Sequence, residues 1–337
     1  MTAQLQPVSG PAVWSGGQYT TDREWVYHFS AGAIADIDQA INRVRQKQLQ
    51  LDDITAEDFA LPALTDDLEN MSEILGSGRG FVMLKGLPIE KYSDEEFEII
   101  LWGIGTHIGA GVSQSHLGDR IGQVKDIDGV GRYYTAGGPI EVHMDPVDVV
   151  GLLCLRHAKQ GGESWIMSPA LVRNILLEEN PAHLALLYEG FHYGSTSGES
   201  GGFQTAHRLP VLVDQADGPV CFYLPKAILG WSGRDSEYLS GQQLEALDHF
   251  NEIAQRPAVG LKMDLQPGDI QFLNNRRVLH ARTDYEDHAD PKLARHLLRL
   301  WLMMPQWPAL PESMHFLEQT DRAGGGIPKG GSQIAAD

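Results

Sequence analysis

From about Ile121 onward the chain consists mainly of short apolar runs separated by turn residues. This pattern restricts the possible folds more than any other feature of the sequence. Short apolar runs bounded by Gly, Pro, Asn or Asp are typical of β-strands. The candidate strands are IGQVKDI, PIEVHMD, DVVGLLCLRHA, ESWIMS, LPVLVD, VCFYLP, LKMDLQPGDIQFL and HLLRLWLMM. The connection DQADGPV has the residues of a hairpin turn. Many short strands with intervening turns predict a jelly roll or a barrel.

Helices dominate the first third and interrupt the strand-rich part. Apolar residues at helical spacing between 34 and 44 follow Ser30, which is a good N-cap. A second helix is predicted from Thr65 to a stop at Gly76, and Ser93 with Glu96 forms the capping box of a third. Further helices are predicted at 169–178, 181–189 and 242–255. The fold class is therefore α+β, mainly β, with a jelly-roll core decorated with helices.

The organisation predicted along the chain is a single domain with two short ends. Residues 1–20 and 323–337 are rich in Gly, Pro and Ser or in Gly and Ala, and are predicted to be an N-terminal arm and a C-terminal tail. Residues 21–322 would form a single jelly-roll domain with a helical N-terminal part. The beginning has no leader pattern and no run approaches 18 apolar residues, so we expect a cytoplasmic protein without a membrane partner.

The charge balance excludes some partners. Acidic residues outnumber Lys and Arg by 45 to 26, for a formal net charge of −19. Binding to nucleic-acid phosphates requires clustered basic residues, so no nucleic-acid partner is expected. A small-molecule partner is favoured, and an anionic one would need a few local arginines against the acidic background.

His143 and Asp145 form the first candidate metal-binding pair, in PIEVHMDP. Residues two apart on a strand point to the same face, so the imidazole and the carboxylate would converge. With a second His, this donor set suits Fe(II) and leaves open coordination positions. The same spacing recurs at His288 and Asp290, in a polar stretch before Pro291 that we expect to be loop. The spacing alone therefore does not identify the site.

The surroundings of the first pair carry more information. PGDIQFLNNRRVLHAR places a turn and an apolar strand before His280, and GGES follows the His143 strand. In RHLLRLW, Arg295 and Arg299 would share one face of a strand. Burying two arginines on one face is costly unless each meets an anion, so this run predicts a pocket for carboxylates.

With these motifs together, the sequence resembles the taurine dioxygenase-like (TauD/TfdA) family of Fe(II)/2-oxoglutarate-dependent dioxygenases. The resemblance runs from roughly Phe81 to Met304. Its elements are HMD at 143–145, GGES at 161–164, TAHRLPVLV at 205–213, LQPGDIQFLNNRRVLHARTDY at 265–285 and RHLLRLW at 295–301. Two departures are Ser164, where the family often has Thr, and a slightly longer segment between Tyr285 and Arg295 than in taurine dioxygenase.

The resemblance implies a double-stranded β-helix and an enzyme that uses Fe(II), 2-oxoglutarate and O2. Oxidative decarboxylation of 2-oxoglutarate would be coupled to hydroxylation of a small anionic substrate, with desaturation and cyclisation as alternative outcomes. The implied iron ligands are His143, Asp145 and His280. Arg295, helped by the Ser164 hydroxyl, would bind the distal carboxylate of 2-oxoglutarate. A homo-oligomer is a further expectation from the family.

The resemblance also suggests substrate contacts. Arg299 corresponds to a position that meets the anionic group of the substrate. Gln114 and His116 lie upstream of the first iron ligand, where family members usually place substrate-contacting residues. Tyr134 and Asn275 are candidates because each lies close in sequence to an iron ligand. Two other classes remain open: a metal-dependent jelly-roll hydrolase or isomerase, which would not need Arg295 and Ser164 as a clamp, and a non-catalytic binding module.

Overall fold

The computed structural model describes residues 5–19, 21, 25–115, 117–126, 138–194, 205, 207–232, 239–314, and 326 and 327. Within these residues there are seven α-helices and fifteen strands. The helices are α1 (Ala31–Lys47), α2 (Thr65–Gly76), α3 (Asp94–Thr106), α4 (Pro169–Glu179), α5 (Pro181–Glu189), α6 (Pro225–Ser232) and α7 (Gly241–Ala254).

The strands follow the short apolar runs of the sequence. They are β1 (Val26–His28), β2 (Phe81–Lys85), β3 (Ala110–Gly111), β4 (Ile121–Val124), β5 (Ile140–His143), β6 (Val149–Arg156), β7 (Gln160–Gly161), β8 (Ser164–Met167), β9 (Leu212–Gln215), β10 (Gly218–Cys221), β11 (Leu261–Met263), β12 (Ile270–Asn274), β13 (Leu279–Arg282), β14 (Tyr285–Glu286) and β15 (His296–Met303).

Two sheets form the centre of the fold. The larger one has the order β1-β2-β12-β6-β15-β3, with β4 also pairing with β15. The smaller one has the order β11-β8-β13-β5. All eight residues of β15 are buried, as expected for a strand that is covered on both faces. The smaller sheet contains both strands that carry the predicted metal-binding histidines.

The core lies in layers on and between these sheets. Phe81 and Leu273 of the larger sheet pack with Ile166 and Met263 of the smaller one in a shared apolar cluster. A second cluster joins α1, α2 and α3 to the larger sheet, and a third joins α4, α5 and α7 to the smaller sheet. Each sheet therefore has one face toward its partner sheet and one face toward helices. The predicted jelly-roll core decorated with helices is confirmed.

The helix starts follow their local signals. The Ser30 hydroxyl accepts the backbone N–H of Ala33 at 3.1 Å, and Ser93 and Glu96 form the predicted capping box of α3. Helix α2 ends at Gly76 as predicted. Helix α6 was not predicted, because its eight residues follow directly on an apolar run that reads as a strand.

The stretch predicted as an N-terminal arm lies against the body of the protein. Asn174 on α4 accepts the backbone N–H of Val8 at 2.9 Å and donates to its carbonyl at 2.8 Å. The Trp14 ring is buried, and its indole N–H donates to the Arg79 carbonyl at 2.9 Å. Across the described part of the chain, no helix has both the length and the apolarity that crossing a bilayer requires.

Candidate active site

A cavity opens between the two sheets, with about 820 Å³ of empty space that includes solvent at its mouth. This size suits a small-molecule site. Apolar side chains from β6 and β15 form part of its wall. Its ionisable lining residues are His143, Asp145, His157, Asp264, His280, Arg282, Arg295 and Arg299. The cavity therefore combines a small set of candidate metal ligands with three arginines.

The predicted metal ligands meet because β5 and β13 pair antiparallel. His280 is the cross-strand partner of His143, and the centroids of the two rings are 4.2 Å apart. Asp145 follows β5 directly, and its Oδ1 lies 3.8 Å from His143 Nε2. One ligand atom from each residue lies within 4.8 Å of the others. Two imidazoles and one carboxylate on one side of an open cavity form a donor set that suits Fe(II).

The protonation states of the histidines favour metal binding. Burial is the main reason that the pKa of His143 lies below its usual value, and burial together with His143 lowers the pKa of His280 to about 3. Both rings are therefore neutral at physiological pH. His143 Nδ1 donates to the Glu141 carbonyl at 2.8 Å, which leaves the lone pair on Nε2. His280 Nδ1 is buried and has no hydrogen-bond partner among the described residues. A buried imidazole nitrogen without a protein hydrogen-bond partner is available to a metal ion.

The carboxylate of Asp145 is oriented by two donors. Its Oδ2 accepts Arg299 Nη1 at 3.2 Å and the Trp301 indole N–H at 3.1 Å. Burial opposes ionisation, but Arg299 and the two histidines hold the pKa of Asp145 below its usual value. The carboxylate is thus charged, with Oδ1 directed toward His143 and Oδ2 held by protein donors. This arrangement favours one metal-binding oxygen.

Arg299 and Gln114 form a buried pair behind this carboxylate. Arg299 Nε donates to Gln114 Oε1 at 2.8 Å, and Gln114 Nε2 donates to the carbonyls of Arg299 and Arg120 at 2.7 and 2.9 Å. Gln114, which is predicted to contact substrate, is 2% exposed and supports Arg299 through these hydrogen bonds. Arg299 lines the cavity as predicted, but it directs its guanidinium toward Asp145 and Gln114.

Asn275, a second predicted substrate contact, is buried beside the turn that carries Asp145. Its side chain is 2% exposed. The amide donates to the carbonyls of Asp145 and Val147, and its oxygen accepts the Asp145 backbone N–H at 3.2 Å. Asn275 therefore anchors the turn that carries Asp145, because every polar atom of its side chain meets this backbone. The other two predicted substrate contacts, His116 and Tyr134, lie outside the described residues.

Arg295 occupies the opposite side of the cavity. It is 5% exposed, and its Nη1 has no hydrogen-bond partner among the described residues. Nη2 reaches the Gly162 carbonyl at 3.4 Å. Burial, followed by the nearby Arg282, lowers the pKa of Arg295 to about 10, so it is a cation at physiological pH. A buried cation with an unmatched N–H is a suitable partner for a ligand carboxylate.

Ser164 lines the same cavity on β8. Its hydroxyl lies 3.3 Å from both the amide oxygen and the amide nitrogen of Gln271, which is 1% exposed. The Gln271 amide also donates to Met263 Sδ at 2.8 Å. Gln271 thus keeps the Ser164 hydroxyl in place at the cavity wall.

The sequence reasoning missed three residues of the site. Trp301 lies two residues after Arg299 on β15, and Arg282 lies two residues after His280 on β13. Both signals were present in the sequence as strand periodicity. The third, Tyr285, places its ring centroid 4.8 Å from the guanidinium carbon of Arg282 and 5.3 Å from that of Arg295. Nothing in its local sequence indicates this position between two cations.

Comparisons with known proteins agree with this geometry. The family model described as "Taurine catabolism dioxygenase TauD, TfdA family" matches residues 45–301. FR-33289 synthase of Streptomyces rubellomurinus (strain ATCC 31215) is 31% identical over 325 residues, which cover 92% of this chain and 94% of that protein. Taurine hydroxylase-like protein SAT17 of Stachybotrys chartarum (strain CBS 109288 / IBT 7711) is 29% identical over 329 residues, covering 91% and 84%.

Solved structures show the same fold at low identity. An asparagine oxygenase in complex with Fe(II), 2S,3S-3-hydroxyasparagine and succinate has a TM-score of 0.67 and 18% identity, covering 83% of this chain and 93% of that one. The non-heme iron oxygenase OrfP in complex with Fe and alpha-ketoglutaric acid has a TM-score of 0.58 and 13% identity, covering 82% and 93%. The two-sheet core with its flanking helices is therefore an arrangement that solved oxygenases share.

Proposed function

Because the chain belongs to the TauD, TfdA family of dioxygenases, we propose that His143, Asp145 and His280 hold its Fe(II) and that Arg295 binds the distal carboxylate of 2-oxoglutarate. The chain is a non-haem iron dioxygenase that acts on a small molecule with 2-oxoglutarate as cosubstrate. The assignment of these residues rests on one observation. The three candidate ligands and a buried arginine with an unmatched N–H line the same cavity.

Each residue has a defined task in this proposal. Bound Fe(II), together with 2-oxoglutarate and O2, supplies the oxidant for a C–H bond of the substrate while 2-oxoglutarate is converted to succinate and CO2. The neutral rings of His143 and His280 offer lone pairs, and Asp145 offers one carboxylate oxygen while Arg299 and Trp301 hold the other.

The far side of the cavity orients the cosubstrate. Arg295 offers N–H groups and a positive charge to a carboxylate, and the Ser164 hydroxyl is held nearby by Gln271. Apolar side chains, including Val150, Leu152 and Leu297, line the cavity between the candidate metal ligands and Arg295. They exclude water from the reacting atoms.

We propose a small organic substrate that carries an anionic group, and hydroxylation as the reaction. The three arginines of the cavity support an anion, because one cosubstrate brings only one distal carboxylate. The neighbouring structures contain hydroxylated amino acids, which supports hydroxylation as the type of product.

An anaerobic titration of the apo-protein with Fe(II) and then 2-oxoglutarate tests the site. Bidentate 2-oxoglutarate on Fe(II) gives a weak visible charge-transfer band. We expect the band in the wild type and its loss in His143→Ala. In Arg295→Ala the band should need at least about tenfold more 2-oxoglutarate, since a charge-assisted hydrogen bond is lost.

The chain provides a matched control for the first substitution. His288 and Asp290 repeat the spacing of His143 and Asp145 but lie in a loop. His288→Ala should therefore leave the band unchanged. A folded wild-type protein that binds Fe(II) tightly but gives no band with 2-oxoglutarate would contradict the proposal and favour a jelly-roll hydrolase or isomerase.

A further inference from the structure

Arg299, the residue first expected to meet the substrate anion, is balanced by the protein itself. Its Nη1 donates to Asp145 and its Nε to Gln114, and its guanidinium carbon lies 4.7 Å from the centroid of the Trp301 ring. These contacts place its charge beside the carboxylate that is proposed to bind the metal. Redirecting the guanidinium to a substrate would remove a donor from that carboxylate. Another cation of the cavity is therefore better placed to bind the substrate anion.

Arg282 is placed to provide that cation. It lies two residues after His280 on β13, so alternation along the strand directs both side chains to the same face. Arg282 lines the cavity and is 7% exposed. Its Nη2 donates to the carbonyl of Gly138, two residues before β5 begins. The guanidinium thus lies where the backbone enters the strand that carries His143.

The environment of Arg282 is rich in positive charge. The ring of Tyr285 lies beside the guanidinium groups of both Arg282 and Arg295, and Arg282 contributes to the lowered pKa of Arg295. Nearby acids offset part of this charge. Asp126 and Asp287 act on Tyr285 electrostatically, and the Asp287 carboxylate accepts the backbone N–H of Arg295 at 2.8 Å.

A further acid lies at the rim of the cavity. Asp264 lines it but is exposed, and its carboxylate accepts the side-chain amide of Gln266 at 2.8 Å. Its charge is therefore screened by solvent. An oxyanion inside the cavity would be attracted by both guanidinium groups, because the site is partly desolvated.

We infer that Arg282 binds an oxyanion of the primary substrate, a phosphonate, sulfonate or carboxylate, while Arg295 binds 2-oxoglutarate. This assignment rests on the proposed function, because it places the substrate anion relative to the iron ligand His280. The distal carboxylate of 2-oxoglutarate occupies Arg295, and Arg282 is the neighbouring cation that lines the same cavity, on the strand that carries His280. Arg282 would then determine that the enzyme accepts anionic rather than neutral substrates.

The test uses the full chain as its anaerobic Fe(II)·2-oxoglutarate complex and follows the charge-transfer band. The probes are propylphosphonate, propanesulfonate and butyrate, with 1-butanol as the uncharged comparison. In the wild type, at least one anion should perturb the band saturably and at a far lower concentration than 1-butanol. The anion that acts at the lowest concentration identifies the oxyanion class.

Two substitutions separate charge from structure. Arg282→Gln keeps an N–H donor for the Gly138 carbonyl but removes the charge, and should raise the half-saturating concentration of the anion roughly tenfold or more. Its affinity for 2-oxoglutarate should change less than its affinity for the anion, because Arg295 is kept. Arg282→Lys keeps the charge and should retain most of the response. Arg256→Gln, which removes a half-buried arginine on the loop after α7 that does not line the cavity, is the matched control and should respond to the anion as the wild type does.

Three results would overturn the assignment while leaving the iron site intact. They are a wild-type band that no anion perturbs, an Arg282→Gln variant that responds as the wild type does, and equal losses in the Gln and Lys variants. A wild type that gives no band with 2-oxoglutarate would overturn the proposed function and this assignment together.

Discussion

At Asp145 the oxygen that faces away from His143 accepts hydrogen bonds from two side chains of β15. Arg299 supplies a charged donor and Trp301 a neutral one, at 3.2 and 3.1 Å. Partners of this kind orient a metal-binding carboxylate, and their loss typically weakens metal affinity. The proposed metal site therefore includes Arg299 and Trp301 besides the three residues that would touch the ion.

Replacing Trp301 with Phe should weaken Fe(II) binding by about tenfold, because the carboxylate loses its neutral donor while the aromatic volume is largely kept. Anaerobic calorimetric titration with Fe(II) measures this change. Trp165→Phe is the control, since the indole N–H of Trp165 has no hydrogen-bond partner among the described residues. Equal Fe(II) affinities in the Trp301→Phe variant and the wild type would show that the indole does not orient Asp145.

At the scale of the elements, the turn between β7 and β8 explains the two glycines of the GGES motif. Gly161 and Gly162 have φ of 75° and 79°, in the left-handed region that favours glycine. A Cβ on Gly162 would lie 3.0 Å from Arg295 Nε. The turn therefore brings the backbone of Gly162 close to the Arg295 guanidinium, and there is no room for a side chain at this position.

Gly162→Ala should raise the Kd for 2-oxoglutarate about tenfold or more, because the added methyl group displaces Arg295 and the backbone is strained. Gly218→Ala is the matched control. Gly218 also has a positive φ, of 116°, but a Cβ there meets nothing within 4 Å. The control should lose some stability and keep its 2-oxoglutarate affinity. If both variants bind 2-oxoglutarate like the wild type, the close approach to Arg295 has no role in binding.

A buried polar network links β15 to β6 and β4. Arg156 Nη2 donates to His296 Nδ1 at 2.6 Å, so His296 must be neutral, and its Nε2–H donates to Gln123 at 2.7 Å. Burial, followed by Arg156, lowers the pKa of His296 to about 4. As the pH falls below about 6.5, His296 is protonated in the unfolded chain before it is protonated in the folded chain. The stability that this histidine contributes is therefore lost as pH falls from about 6.5 to about 4.

Between pH 7.5 and pH 5, the apo wild type should lose about 1 kcal/mol more unfolding free energy than His296→Gln, after allowance for partial solvent screening. Urea denaturation of both proteins at the two pH values measures this difference. Comparing the variant with the wild type removes the contribution of the other buried histidines. An identical pH dependence in both proteins would contradict a depressed pKa at His296.

For the whole molecule, the N-terminal segment contributes to the core. The Trp14 ring is 2% exposed and makes an edge contact with Phe81 on β2, with ring centroids 4.9 Å apart. Arg173 on α4 is 1% exposed and donates to the Gln6 carbonyl at 2.9 Å. This segment therefore packs onto both the larger sheet and the helical layer.

Trp14→Ala should lower the free energy of unfolding by about 3–5 kcal/mol, the range for removing a buried large aromatic side chain. Urea denaturation of the apo-protein measures it. Leu293→Ala, at a position that is 53% exposed, is the control and should change stability by less than about 0.5 kcal/mol. A small effect at Trp14 would mean that the segment is a detachable arm.

Most elements, and the convergence of His143 with Asp145, could be predicted from the sequence, because their causes are local. Ser30 caps its helix through a residue three positions away, and His143 and Asp145 converge because they are two positions apart. His280 was placed in the site by its likeness to a family motif, and the pairing of β5 with β13 is consistent with that. His288 and Asp290 have the same spacing as His143 and Asp145 but lie in a loop. The spacing alone therefore does not identify a metal site.

The partners of the polar side chains were decided only by the tertiary structure. Arg299 meets Asp145 across 154 positions of sequence and Gln114 across 185. Asn275 faces the backbone of Asp145 rather than the cavity, and Arg282 and Arg295 share one tyrosine ring. The sequence by itself determined which residue types lie on which strand face. Strand register and sheet packing decided which of those side chains meet, because a contact between distant residues depends on the whole arrangement of strands and not on any local pattern.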